Sequence, residues 1–548
     1  MRFVLVPAVA LVAAAPAHAQ VDVFKACDGI KPPGKRGDSL TQIDEMFKST
    51  WTIGEERAAI MPSQEGVTAC DAALADPLLL TQFWRRRAYL QQAKAIHLIG
   101  LERYDEALRA LDASDSEGAG RKDAFFDGSM GAGNHALRGW IYFRQGKTDA
   151  ALVELEGVAR DRPYSPRMAA LASAIRLTFQ KELGQDLATL AAGAAQSPDL
   201  LRRLFWLSML YGDFPAVLKY GPQLSFELPH GKRTDEIVGF EDKLYKMIAE
   251  RADVSGAIAY ATAASGSIDA ANALLARAQA DLDEAMAPPI VPEGGKLSRD
   301  QKDDFAERKM SGLDGRAKLD RWKAAIGLRG DLAKMNGDQF SARAQALSLM
   351  DMPVMIDMLT QFGALHPAER GLADMVGTKL RTRLDAERGQ AHAMSFQNLV
   401  DLLPRIETAA MRPRFKDTTV EQFLLTDNTG FNTTREKDSP YVTVRFASEI
   451  ATPATVEELA LLASAMRARQ SGKDSFLIDS RILIKRSIRY GGYSRGSYAL
   501  PNGWEARIRI LPVNAAELPR ELETSRWRLQ KVSDVADGLY LKYTTKYD

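Results

Sequence analysis

The sequence predicts a mainly α chain: a solenoid of helical hairpins, then a further helical region, then a small C-terminal α+β domain. Three observations carry this. Apolar residues recur in steps of three and four across residues 76–285, the spacing of helices that bury one face. A Pro/Gly-rich linker at 286–296 interrupts the pattern, and residues 297–412 resume it. From residue 441 to 548, after a polar linker at 413–440, short runs of alternating apolar residues take over, the period of strands.

The chain opens MRFVLVPAVALVAAAPAHAQ. Arg2, an apolar run through Ala15 and the small residues of Ala17-His18-Ala19 form a secretory signal pattern over residues 1–19, with cleavage expected before Gln20 and a periplasmic destination. The run is too short to span a bilayer as a helix. No second stretch of 18 or more apolar residues follows, so no transmembrane segment is expected in the mature chain. The N-terminal segment, 20–75, is broken by Gly29, Pro32, Pro33, Gly34 and Gly37 and holds both cysteines, Cys27 and Cys70. In an oxidising compartment two lone cysteines are most simply a disulfide, with two unpaired thiols as the alternative. Lys and Arg number 72 against 71 Asp and Glu, and losing Arg2 brings the two to parity. That balance excludes the basic excess of a nucleic-acid binder.

The first hairpin begins DPLLLTQFWRRRAYLQQAKAIHLIG at Asp76 and continues LERYDEALRALDAS from Leu101. A second, GNHALRGWIYFRQGKTDAALVELEGVARDRP, occupies 133–163. Here Gly139 permits close helix approach, Tyr142 shares its face, Gly146 ends the first helix, Ala151 is small where the second helix crosses back, and Pro163 closes the unit. In 88–115, Ala95, Tyr104 and Ala107 fall in the same register, with Glu102 in place of the turn Gly. In 201–221, Gly212-Asp213-Phe214 forms the turn and Phe205 stands where a small residue is expected. This spacing resembles the tetratricopeptide repeat, a two-helix unit of 34 residues, as found in exported proteins of proteobacteria. A generic helical bundle is the alternative. Stacking is favoured because each hairpin has two apolar faces to cover. The resemblance implies a binding surface rather than a chemistry.

In the C-terminal region YVTVRFAS from 441, SFLIDSRILIKRSIRY from 475 and EARIRILPV from 505 read as strands. TPATVEELALLASAMRARQSG between the first two reads as a helix, capped by Thr452 or Thr455, with Glu457 or Glu458 favoured near its start. RWRLQKVS and GLYLKYTTKY read as a last strand pair. The segment Lys473–Asp479 following the helix loosely resembles small domains of proteobacterial envelope proteins.

Chemical motifs are sparse. Gly492-Tyr493-Ser494-Arg495-Gly496 spells the Gly-x-Ser-x-Gly of a hydrolase elbow. That elbow needs a helix after the serine and a downstream His, whereas Pro501 and Gly503 follow and no His lies beyond His392. A hairpin loop is the better reading. His97, His135, His230, His366 and His392 are scattered without metal-ligand spacing, so no catalytic residue, metal or cofactor is assigned. Met350, Met352, Met355 and Met358 read as core filling rather than an adaptable binding stripe. If the first helix of each hairpin lines a concave groove, Trp140, Phe143 and Arg144 in one unit and Gln92, Ile96 and Ile99 in the other are candidate partner-binding residues. Burial of Trp140 against the next repeat is the alternative. Of Arg85, Arg86 and Arg87, one is free to pair with a carboxylate while the rest are expected to be solvated. The expected function is a non-enzymatic, exported scaffold or adaptor for envelope proteins or peptides. An exported hydrolase with its site in the C-terminal half is the alternative.

Overall fold

The computed structural model describes residues 22–35, 37–40, 42–44, 49–51, 60–179, 186–227, 240–291, 295–347, 352–418, 429–492 and 495–544. The expected signal segment 1–19 and Ser494 lie outside them. The chain divides into two compact units, residues 1–42 with 53–122, and residues 43–52 with 123–548.

The first unit is built from helices α1 (Val23–Asp28), α2 (Gln64–Leu74), α3 (Trp84–Gly100) and α4 (Tyr104–Gly118). Asp22 caps α1, its side chain accepting from the amides of Phe24 and Lys25, which satisfies donors with no partner inside the helix. Cys27 and Cys70 form a disulfide that ties α1 to α2, with Cα atoms 4.7 Å apart. Beneath it Arg86 of α3 is buried against Asp28, at 2.5 Å from Nη1 and 3.0 Å from Nη2. A third contact runs from Nη2 to the Ile30 carbonyl at 3.3 Å.

The second unit opens with α5 (Ala124–Phe126), which continues through a single wide turn, Asp127–Gly131, into α6 (Ala132–Arg144). Helices then follow in pairs: α7 (Thr148–Asp161), α8 (Pro166–Phe179), α9 (Asp186–Ala194), α10 (Pro198–Leu210), α11 (Phe214–Tyr220), α12 (Phe240–Ala264) and α13 (Ile268–Ala285). Among the described residues none of the helices is long and apolar enough to cross a membrane.

Four hairpins share one turn. The N–H just past the turn donates to a carbonyl five residues back: Arg103 to Leu98, Lys147 to Tyr142, Asp213 to Ser208 and Ser267 to Thr262. This closure satisfies helix-end carbonyls but requires a left-handed residue in between. Gly146, Gly212 and Gly266 supply it with φ of 73°, 69° and 95°. In the first unit Glu102 supplies it with φ of 59°. A side chain in that conformation costs about 1 kcal/mol, and a glycine returns part of the gain through its freer unfolded chain. Glu102→Gly is therefore expected to raise the unfolding free energy by about 0.5 kcal/mol in urea titration. Lower stability would mean that the Glu102 side chain's own contacts outweigh the backbone strain.

The close approaches follow from residue size. A Cβ on Gly139 would lie 3.0 Å from Leu155 on α7, so a larger residue there fits only if the Leu155 side chain gives way. At α10 the relation is inverted. Phe205 is fully buried, and the small partner is Gly221, where a Cβ would lie 2.9 Å from the Phe205 ring. Volume is conserved across the pair.

The helices on either side of the Pro/Gly segment belong to one packed region. The long helix α14 (Arg299–Asp331) starts with a reciprocal cap between Ser298 and Gln301 and returns along α12. Its Trp322 joins Tyr260 of α12 and Leu275 of α13 in a single core that also takes Val354 and Met358. Helices α15 (Gly337–Ala346), α16 (Met352–Leu365), α17 (Arg370–His392) and α18 (Phe396–Leu402) complete the helical part. Met358 is fully buried and Met355 packs against the same core; Met350 lies outside the described residues.

The C-terminal part is an antiparallel sheet. β1 (Gln42–Asp44) and β2 (Ser49–Trp51) form a separate ribbon; β3 (Gly430–Arg435), β4 (Val442–Ser448), β5 (Ser475–Gly492), β6 (Arg495–Val513) and β7 (Gln530–Lys531) form a five-stranded sheet in the order β3-β4-β6-β5-β7. Helix α19 (Pro453–Gln470) lies on it, capped by Thr452, whose side chain accepts from the Thr455 amide. From Thr455 to Ala465 it is buried on every side, against the sheet and against α20 (Val532–Thr544). The final segment corrects the strand expectation. GLYLKYTTKY alternates, but Val532, Val535, Leu539 and Tyr543 recur at helical spacing and pack into the core shared with α19, so residues 532–544 form a helix. RWRLQKVS contributes only the two-residue strand β7, after a 3-10 turn over Arg520–Arg528.

Candidate functional site

Helical and C-terminal parts of the second unit are joined by a buried ion network. Arg162, at the end of α7, donates from Nε to Glu458 at 2.7 Å, from Nη2 to Glu407 at 3.0 Å and from Nη1 to the Gly128 carbonyl at 3.1 Å. Lys542 and Tyr543 of α20 also donate to Glu458, and Thr452 and Thr455 donate to Glu407. Burial alone would push the Glu458 carboxyl up. The charges of Arg162 and Lys542, with hydrogen bonds from Arg162 and Tyr543, outweigh it and hold the group down at about 2. Glu457 and Glu458 therefore do not serve the helix start as expected; both turn to arginines from other elements. Further ties run from Tyr164 to the Asp534 carbonyl at 2.5 Å and from Arg528 to the carbonyls of Gln223 and Ile478 at 3.0 and 2.6 Å.

Beside this junction lies a cavity of about 580 Å³. Its walls are the starts of α8 and α10, the middle of α12, Glu457 of α19, and Ser480–Leu483 with Trp504 on the sheet. Two charge groups line it. In the first, Glu457 is shared between Arg167 at 3.2 Å and Arg481 at 3.4 Å. In the second, Arg202 sits between Glu250 at 2.9 Å and Asp199 at 3.4 Å, with Glu227 nearby in the lining. Pro198, Leu200, Leu483 and Trp504 supply apolar surface between them.

Arg481 is the unusual member. Its side chain is only 4% exposed. Nη1 reaches the Gln196 carbonyl at 3.5 Å, a long contact, while Nη2 is buried with no hydrogen-bond acceptor. Burial lowers its pKa, against the opposing pull of Glu457. A guanidinium taken out of water normally has its donors filled. Glu250 is shifted the other way, its carboxyl raised by burial against the pull of Arg202.

The residues expected to line a repeat groove are placed differently. Trp140 and Phe143 are buried, Trp140 edge-on to Phe179 at 4.9 Å and near Phe396 at 5.9 Å, Phe143 stacked on Phe179 at 5.1 Å. Arg144 beside them is exposed. Gln92, Ile96 and Ile99 are buried within the first unit, so the structure does not gather the six into one open surface. The arginine run departs from a solvated face: Arg86 is the buried partner of Asp28, Arg87 pairs with Glu117 at 2.7 Å, and Arg85 lies over Trp84 at 4.5 Å.

The two repeat histidines each have their own partners. Nδ1 of His97 accepts from the Ser63 amide at 3.2 Å, so Nε2 carries the proton donated to the Cys27 carbonyl at 2.9 Å. Burial lowers its pKa and keeps it neutral. His135 lies between Asp161 and Glu154, whose hydrogen bonds and charges raise it to about 9 and keep it charged. Among the described residues no group of three His, Cys, Asp or Glu is placed to hold a metal. At the serine motif, strands β5 and β6 pair up to Gly492 opposite Arg495, so strand and not helix follows the turn.

Sequence reading missed Arg162, Arg481 and their carboxylates. A signal was present: Glu457-Glu458 is an acidic pair directly before Leu459–Ala465, a run of apolar and small residues that covers every side of the helix. Charges so placed must be buried and paired. No family model matches this chain, and the search of curated proteins and of solved structures finds none similar to it.

Proposed function

We propose that the protein is an exported, non-enzymatic binding protein: a tetratricopeptide-like stack of helical hairpins joined to a C-terminal α+β module, holding peptides or other proteins of the cell envelope. The observation that carries this reading is the cavity of about 580 Å³ where α8, α10 and α12 meet the sheet, lined by arginines, carboxylates and apolar side chains. Such a lining recognises charge and shape. Periplasmic residence is supported by the Cys27–Cys70 disulfide, since such bonds persist in oxidising compartments.

The test separates binding from hydrolysis. The purified chain is incubated with a randomised hexapeptide pool, recovered, and its bound and free peptides are weighed by mass spectrometry. Enrichment of intact peptides is the expected result. Peptide fragments appearing with the protein and not without it would favour the hydrolase reading instead. Fractionation of the producing cells should place the processed chain with periplasmic markers.

A further inference from the structure

We infer that the cavity between the repeat helices and the sheet receives a short zwitterionic peptide, its terminal carboxylate against Arg481 and Arg167 and its ammonium group against Asp199, Glu250 and Glu227. This rests on the peptide-binding reading above and assigns it a place and a ligand chemistry.

The first argument is charge count. One carboxylate, Glu457, pairs with both guanidiniums, and Glu458 and Asp199 add only a weaker pull on Arg481, leaving a small positive surplus there. Around Arg202, Asp199 and Glu250 pair with one guanidinium and Glu227 stands in the same wall, a negative surplus that Lys318 near Glu250 only partly offsets. A ligand with only one sign would satisfy one group and be repelled by the other; a zwitterion answers both.

The second argument is the buried Arg481 itself. Its Nη2 has no acceptor in the folded chain and Glu457 reaches only the Nε side, at 3.4 Å. Nη2 is closed off from solvent as the chain stands, so a carboxylate entering the cavity completes a charge-assisted bond with it once the Arg481 side chain turns toward the space it lines. Backbone geometry adds to this. The helices α8 and α10, of 14 and 13 residues, both begin at the cavity, with Pro166 and Arg167 of one and Pro198 and Asp199 of the other in its wall. The positive end of α8, where Arg167 stands, favours the ligand's carboxylate, whereas at the start of α10 Asp199 already answers the dipole and offers its charge to the ammonium.

The third is size. The space suits a di- or tripeptide, and Leu200, Leu483 and Trp504 would cover its small side chains.

Ala-Ala-Ala and its C-terminal amide, titrated calorimetrically into the full chain, provide the test. The free acid should bind saturably and the amide at least about tenfold more weakly, the loss of one charge-assisted bond. Arg481→Gln should abolish that preference. Arg167→Gln, at a half-exposed position, should reduce it also where Arg481→Gln fails to fold by circular dichroism. Equal affinity for acid and amide would overturn the carboxylate seat while leaving peptide binding intact. A preference surviving in both variants would place the seat elsewhere and overturn the inference too. If neither tripeptide binds while hexapeptides still do, this inference falls alone; if no peptide of any length binds, the proposed function falls with it.

Discussion

Replacing Arg162 with Met is expected to cost about 4 kcal/mol of stability, because two buried carboxylates lose their common cation. Glu458 and Glu407 are both within 3.0 Å of the guanidinium, whose side chain is 1% exposed. Neither carboxylate can turn to water in place. The attraction is not the main quantity; the desolvation left uncompensated is. A double variant, Arg162→Met with Glu458→Gln, should therefore recover a large part of the loss, and urea unfolding of the four members of the cycle measures it. Strict additivity of the two single losses would show that the groups do not act on one another.

The same network sets an acid limit. The folded Glu458 carboxyl is held at about 2, below its ordinary unfolded value of about 4.3. Its contribution is thus fully present above about pH 4.3 and lost as pH falls from there toward 2. Wild-type stability should drop steeply across that window, and the drop should be shallower in Glu458→Gln.

Removing the disulfide is the second large effect. Cys27 and Cys70 are 43 residues apart, and opening such a loop costs about 4 kcal/mol by chain entropy. The loss is compounded locally. Cys27 also presents its carbonyl to His97, and the neighbouring Asp28 is the buried partner of Arg86. Freeing α1 therefore exposes an ion pair and a histidine contact together. Cys70→Ser is expected to lower the protection of the amides of residues 22–40 and of α3 against hydrogen exchange by several orders of magnitude. Unchanged protection there would show that the ion pair and α1 packing suffice without the bridge.

What was legible in the sequence is what local chemistry determines. Hairpins could be read from apolar steps, and their turns from Gly146 and Gly212. The α19 cap could be narrowed to Thr452 or Thr455, since a hydroxyl before an apolar run has few other uses, and the structure decides for Thr452. The disulfide needed only the count of cysteines. Features set by distant partners were harder. Trp140 reads equally as a groove residue or a core residue, and only the arrival of Phe179 and Phe396 decides that it is buried. Arg86 in a run of three arginines gives no sign that Asp28, 58 positions earlier, will enclose it. The last helix was misread because GLYLKYTTKY alternates over a short window while its burial period extends back to Val532. The cavity is assembled from residues between 166 and 504, and no window of sequence contains it.

That separation has a temporal consequence. Arg162 meets carboxylates 245 and 296 positions later in the chain. A polypeptide emerging from its amino end can close its helical hairpins early, since their contacts are local. Arg162 and the starts of α8 and α10 must then wait, solvated, until the residues after 450 have arrived. The cavity accordingly cannot close before the sheet has formed. A chain halted before Trp504 would carry its helices without the sheet wall of the cavity.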